Sequence, residues 1–303
     1  MKKILVIGAS GFVGRRVAQA LLADGCDVRC LARSPARVQD LAEAGCEIVQ
    51  GDISDPASMR RALDSVDAAY ISIHMLSPQH TDTAGQDFMD VERNGLENIV
   101  AACRTNGVRR LIYVTFLGAA PDGPSAWIRG RWQAEQFLLQ SGLDVTVIRP
   151  GQIVGVGGQG FNMMVSQAKR SAAIIMGSGR QKWRNIAIDD LVYYLVGVLN
   201  DPRAYGQCYD VGCDDILTSE QMIDTAAELL GRTHPRKIHI PQALLSTLAP
   251  FIERISKLPK GSMTGFVDSM KADAVGDPAP IRRVLPRPPL SYRTAVERAL
   301  QEA

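Results

Sequence analysis

The chain has 303 residues, 46% hydrophobic and 22% charged, with a formal net charge of +2. That length accommodates one large core, or one large domain plus a smaller one, in an ordinary globular composition. The charge is too small to argue for nucleic acid or an anionic membrane, and no window approaches the uninterrupted apolar length of a membrane span. Lys2 and Lys3 before an apolar run imitate a leader, but the run breaks at Gly8 and leads into Arg15 and Arg16, so no signal peptide is expected. Most of the six cysteines sit singly among apolar residues of predicted strands and helices, without a CxxC pair or a His/Cys cluster. A reducing cytoplasm, no structural disulfide and no metal are therefore the expectations.

In chain order, short apolar strands are predicted at 3–7, 27–32, 47–50, 67–73, 110–115 and 144–149. Helices are predicted near 12–23, 35–44, 56–64, 82–106 and 126–141 between them. This alternation predicts a parallel sheet covered on both faces, doubly wound by right-handed crossovers, with its ligand crevice at the carboxyl ends of the strands. Gly25, Gly45, Gly107 and Gly142 each stand where a helix gives way to a strand, as C-terminal caps do. Ser54-Asp55-Pro56 reads as a helix cap followed by a first-turn proline. After Pro150 the pattern changes. A glycine-rich loop (151–160), a helix (160–172), a strand (173–176) and a basic loop (177–184) lead to a strand at 186–188, a helix at 189–200 and a strand at 207–212. Helices are then predicted at 218–230, 241–255, 261–271 and 291–302, with a proline-rich linker at 278–289. The expected organisation is a dinucleotide-binding core, 1–154 with 185–215 returning to it. A small, mainly helical cap, 155–184 and 216–303, would cover the substrate side.

The stretch Lys3 to Arg15 organises the rest. Gly8, Gly11 and Gly14 follow a buried strand and open a helix. Gly8 permits a tight turn, Gly11 a close approach of backbone to a diphosphate, and Gly14 close packing of helix on strand. Ser10, Phe12 and Val13 complete this cradle, with free N–H groups and a partial positive charge at the helix start. An ordinary strand-to-helix turn is the plainer alternative. At the end of the second strand, where an acidic residue would bind a ribose 2′-hydroxyl, the chain reads Arg33-Ser34, with Arg37 one turn on. A guanidinium beside a hydroxyl suits a 2′-phosphate, so NADP(H) is expected over NAD(H), unless Arg33 is only a solvated surface residue. Tyr70 to His74 ends the fourth strand, so Ser72, Ile73 and His74 should face the crevice. His74 reads as the one histidine placed there, and a structural role for it competes with a catalytic one.

The GxxGxxG spacing, with QSGLDVTVIRPG further on, resembles the short-chain dehydrogenase/reductase superfamily in its extended and atypical branches. The resemblance covers residues 1–215 and implies several roles. Asp52 and the Ile53 N–H would hold the adenine, and the Arg149-Pro150-Gly151-Gln152-Ile153 turn would fix the nicotinamide carboxamide through Pro150, Gly151 and Ile153. The superfamily's catalytic Tyr-xxx-Lys pair is replaced by Trp127 and Arg131. Indole cannot transfer a proton and guanidinium cannot act as a base. Thr115 is the hydroxyl left in the usual serine region, and Arg131 could still donate to the ribose. Thr115, Arg131 and His74 are thus the catalytic candidates.

A near-complete cofactor site without proton machinery is similar to the atypical NAD(P)-binding branch. That branch includes NmrA-like regulators, quinone and dye reductases and the accessory subunit of respiratory complex I. The implied activity is direct hydride transfer from NADP(H) to an apolar quinone, enone or dye, by a monomer or homodimer. The alternative is a non-catalytic NADPH-binding sensor or assembly protein acting through a partner. Met163, Met164, Ile174, Ile175 and Met176 could line an apolar pocket or merely pack. Ile240 to Ile255 reads more readily as a packed helix than as an interfacial one on a membrane.

Overall fold

A computed structural model of the chain describes residues 2–73, 88–256, 258 and 260–302. The first half runs β1 (Lys3–Ile7), α1 (Phe12–Ala23), β2 (Asp27–Ala32), α2 (Gln39–Glu43), β3 (Glu47–Gln50), α3 (Pro56–Ala62), β4 (Ala68–Ile71), α4 (Phe88–Asn106), β5 (Arg110–Val114), α5 (Ala126–Leu139) and β6 (Asp144–Pro150). The second half runs β7 (Gln152–Val154), α6 (Gln159–Ala168), β8 (Ala172–Met176), β9 (Lys182–Ala187), α7 (Ile188–Gly197), β10 (Gln207–Val211), β11 (Ile216–Thr218), α8 (Ser219–Leu229), β12 (Arg236–Ile240), α9 (Gln242–Ile255), α10 (Ser262–Ser269), α11 (Ala279–Val284) and α12 (Tyr292–Gln301).

Seven parallel strands form the central sheet in the order β10-β6-β5-β4-β1-β2-β3, a Rossmann-type α/β arrangement. Strand residues alternate between its faces. Ile4 and Val6 of β1 pack with Val17 and Leu21 of α1 and with Leu191 and Leu195 of α7. Leu5 and Ile7 pack on the other face with Met59, Leu96, Ile99 and Leu138. Both faces are apolar, which is why the strands read as continuous hydrophobic runs. The chain reverses its winding between β1 and β4, and that switch point opens the crevice at their carboxyl ends. The four helix-ending glycines have φ of 77°, 107°, 73° and 77°, and the Asp55 side chain caps α3 by accepting from the Ala57 and Ser58 N–H groups.

Outside the main sheet lie a three-stranded sheet, β11-β9-β7, and a two-stranded one, β12-β8. The second half therefore holds more strand than the sequence pattern predicts. The 151–160 segment contains β7, whose Val154 is buried, and the basic loop supplies Lys182 to Arg184 to β9. β12 escapes recognition because RKIHI is short and opens with two adjacent cations, and its pairing with β8 comes from outside the segment. The proline-rich linker includes α11, in which Pro278 and Pro280 sit at the start of the helix, where a missing N–H costs nothing. The start of the helix expected at 82–106 lies outside the described residues. Its remainder is α4.

Candidate functional site

A cleft of about 2040 Å³ opens over the carboxyl ends of β1, β2, β4, β5 and β6. The end beside β1 and α1 is made of backbone. Gly8 sits at φ 93°, and a Cβ there would lie 2.1 Å from the Ser72 carbonyl oxygen. A Cβ on Gly14 would lie 2.3 Å from the Gly8 carbonyl oxygen. The two glycines thus let β1, β4 and α1 approach to backbone contact, closed by the Gly11 N–H donating to Gly8 O at 2.9 Å. Gly11 is the N-cap of α1 and offers no side chain to the first-turn N–H groups. Gly8, Ser10, Gly11, Phe12 and Val13 line the cleft, whereas Gly14 serves the packing beneath it. A Cβ at Gly155 or Gly158 would lie 3.1 Å from the Phe12 ring, so the glycine-rich loop closes directly over the start of α1.

Beyond β2, Arg33 and Arg37 both line the cleft and Ser34 does not, being the N-cap of a 3-10 turn over Pro35–Val38. Asp52 and Ile53 line it as well. Asp52 accepts from the N–H and hydroxyl of Ser54 and lies 3.9 Å from Arg33 Nε, so carboxylate and guanidinium sit side by side at this end. The Ile53 carbonyl is taken by Asn98 Nδ2 at 2.9 Å, while its side chain rests where any Cβ on Gly95 would intrude.

At the other end of the sheet, Thr115, Arg131, Pro150, Gly151 and Ile153 line the cleft with Ser72 and Ile73. Arg131 is almost wholly buried and donates through Nη1 to Glu92 Oε1 at 2.5 Å and to the Tyr113 hydroxyl at 3.1 Å. Tyr113 donates in turn to the same Glu92 oxygen at 2.6 Å. Burial alone would lower the Arg131 pKa, but Glu92 and Tyr113 outweigh it and hold the guanidinium above its ordinary value. Burial, reinforced by Glu92, pushes the Tyr113 hydroxyl far up, so neither group exchanges a proton near neutrality. Trp127 stacks on Phe116 with centroids 4.3 Å apart and planes 1° from parallel, and Phe266 of α10 tilts against it at 6.4 Å. Phe116, Trp127 and Phe266 thus form an aromatic wall.

Arg149 points away from the cleft. It donates through Nε to both Glu135 oxygens at 3.0 Å and lies 3.7 Å from Asp210, anchoring the turn that presents Pro150 and Gly151. Burial raises the Glu135 pKa against the opposing pull of Arg149 and of the Thr115 hydroxyl. The turn is tight, since a Cβ on Gly151 would lie 2.3 Å from the Arg184 carbonyl oxygen. Sequence reading missed Glu92, Glu135 and Phe116. A charged residue within an otherwise amphipathic helix gives no sign of what it meets across the fold.

Met163, Met164, Ile174, Ile175 and Met176 line the far wall, with Phe266 and Met270 of the α10 segment. His74 lies outside the described residues. The expectation that it is the one histidine at the crevice is overturned, because His239 on β12 lines the wall and meets Glu220 at 2.7 Å. Among the described residues, no group of three His, Cys, Asp or Glu side chains could hold a metal.

The arrangement suits a dinucleotide. An uncapped helix start and a backbone turn closed to side chains stand at one end. At the other, Trp127 Nε1 and Arg131 Nε are buried donors of cleft-lining residues with no partner among the described residues. Comparison with known proteins agrees. A family model described as NAD(P)H-binding matches residues 8–178. The mitochondrial NADH dehydrogenase [ubiquinone] 1 alpha subcomplex subunit 9 of Arabidopsis thaliana is 24% identical over 263 residues, 84% of this chain and 64% of that protein. The chain therefore spans less than two thirds of that relative's length. The NAD(P)H azoreductase of Xenophilus azovorans is 26% identical over 233 residues, 76% of this chain and 74% of that protein. The structure of an NADPH-dependent quinone oxidoreductase from Escherichia coli, complexed with NADPH, superposes with a TM-score of 0.75. It is 18% identical and covers 98% of this chain and 99% of that one. At that identity the likeness concerns the fold.

Proposed function

The chain belongs to the NAD(P)H-binding family, and from that premise we propose that it is an NADP(H)-dependent reductase of apolar, electrophilic acceptors such as quinones, enones or dyes. The observation that carries this reading is the Phe116–Trp127 stack beside a guanidinium locked by Glu92, within a cleft otherwise furnished for a dinucleotide.

The bound cofactor would supply a hydride. The α1 N-terminus and the Gly8–Gly11 turn would take its diphosphate, and Arg33 with Arg37 its 2′-phosphate, since guanidinium forks make charge-assisted bonds to phosphate oxygens. Asp52 and the Ile53 N–H would hold the adenine. The Pro150–Gly151 turn, fixed from behind by the Arg149–Glu135 pair, would orient the nicotinamide, and Arg131 would meet the adjoining ribose. Acceptors that need a side-chain acid fit this wall poorly, because indole, phenyl and guanidinium release no proton at neutral pH. An acceptor whose reduced anion takes its proton from water needs none. The apolar lining of Met163, Ile174 and Phe266 would favour flat apolar molecules. The family membership, and the azoreductase among the relatives, support this reading. The chain would work in the cytoplasm, on small molecules.

A non-catalytic sensor or accessory protein is the second reading, favoured by the same absence of a proton donor and by the complex I subunit among the relatives. NADPH oxidation measured against a quinone and dye panel, beside affinity capture with and without NADPH, separates the two. Turnover at about 1 per second or faster with any acceptor supports the reductase. No turnover, together with a partner captured only with NADPH, overturns it.

A further inference from the structure

The helix α9 leaves its most apolar side chains in solvent. Leu244, Leu248, Phe251 and Ile255 are 50%, 42%, 63% and 66% exposed. Their spacing of 4, 3 and 4 keeps them within about 60° of one another around the helix axis. The opposite face buries Ala249 and Glu253, whose carboxylate accepts from the Gly261 and Thr264 N–H groups at the start of α10. The side of α9 turned to the protein thus holds a carboxylate beside half-buried Leu245 and Ile252, and four large hydrophobes lie on the side turned to water. The helix packs through one face, as expected from sequence, and leaves the other open.

Charge around this face is equally one-sided. From Gln242 to Val267 the chain carries Arg254, Lys257 and Lys260, all at or just beyond the end of α9, and its single acid is the buried Glu253, whereas upstream Lys237 is already paired with Asp224. The whole-chain charge of +2 conceals this segment. The segments flanking α9 also line the cleft, through Pro241, Leu258 and Met263. Met163 and Ile174 of the cleft wall are themselves 50% and 43% exposed.

We propose that this face docks on an anionic lipid bilayer, with α9 lying in the interface and the mouth of the cleft turned to the membrane. Apolar side chains enter the headgroup boundary while the flanking cations meet lipid phosphates, which is how interfacial helices bind. A second copy is a poorer occupant, because an isologous contact through this face would bring like cations together. The consequence for substrate, that an apolar acceptor passes from lipid directly to the cleft, rests on the reductase reading. The docking itself does not.

The full chain is sedimented with vesicles of phosphatidylcholine alone, and of phosphatidylcholine mixed with phosphatidylglycerol. Binding to the mixed vesicles, weakened by salt, is expected, with little to the neutral ones. Leu248→Glu with Phe251→Glu should lower binding at least about tenfold. Arg254→Ala and Lys260→Ala should each lower it about fivefold. A thermal shift with NADPH, unchanged in these variants, reports that the nucleotide site is intact and separates loss of docking from loss of the enzyme reading. Failure to bind mixed vesicles, or equal binding by the doubly substituted chain, overturns the proposal. So does a dimer in analytical ultracentrifugation that the same substitutions dissolve.

Discussion

The two ends of the cleft are built on opposite plans. At the β1–α1 end the wall is backbone against backbone, with no room for a Cβ at Gly8 or Gly14. At the α6–β8 end it is flexible side chain, with Met163 and Ile174 half in water. A rigid backbone surface recognises one invariant chemical group, whereas a soft apolar surface accepts a class of molecules. The difference predicts that substitutions at the first end destroy the protein or its cofactor site, while those at the second retune it.

The largest effect is expected at Gly8. Val there adds a β-branched side chain at φ 93° and a Cβ against the Ser72 carbonyl, at a cost of about 5 kcal/mol or more. Thermal denaturation should find the variant unfolded, and a stable Gly8→Val chain would break the comparison. Next is Arg131→Met, which strands the buried Glu92 carboxylate and should cost about 3–5 kcal/mol. Adding Glu92→Met should recover most of that in denaturant titrations. A double variant no better than the single would mean that the pair is not the unit it looks.

Arg33→Ala leaves the fold alone, since its side chain is 43% exposed. It should weaken NADPH by about one to two decades and NADH hardly at all, measured by titrating both. Equal affinities, unmoved by the substitution, would sink the preference for NADP(H). At the soft end, Ile174→Ala should change stability by under about 0.5 kcal/mol. Its signature is a shift in KM between acceptors at constant NADPH affinity.

The smallest effect lies at the sheet edge. Arg29, and then Lys3, hold the Glu47 carboxyl below its ordinary value. A depressed native pKa adds stability that is full above the unfolded value and lost as pH falls through the native one. Glu47→Gln should therefore lower stability slightly at neutral pH and flatten the acid limb of a stability–pH curve, the two curves meeting at low pH.

Much of this molecule was legible in sequence because its information is local. The β-branched runs, the glycine spacing and the helix-ending glycines each state a conformational need within a few residues. Together they determined the doubly wound sheet and the place of the glycine turn at its crevice. Arg33 and Asp52 could be assigned to the crevice because strand ends must face it in this topology. What tertiary structure alone decided is pairing across distance. Glu92 meets Arg131 over 39 positions and Glu135 meets Arg149 over 14, and neither partner announces the other. β12 becomes a strand only beside β8, and His239 reaches the cleft only through that pairing. The amphipathic pattern of α9 fixed that the helix has two faces. Which face meets the protein is not written in that pattern: the buried face carries Glu253, whose partners are the Gly261 and Thr264 N–H groups 8 and 11 positions on, and the large hydrophobes are left outside.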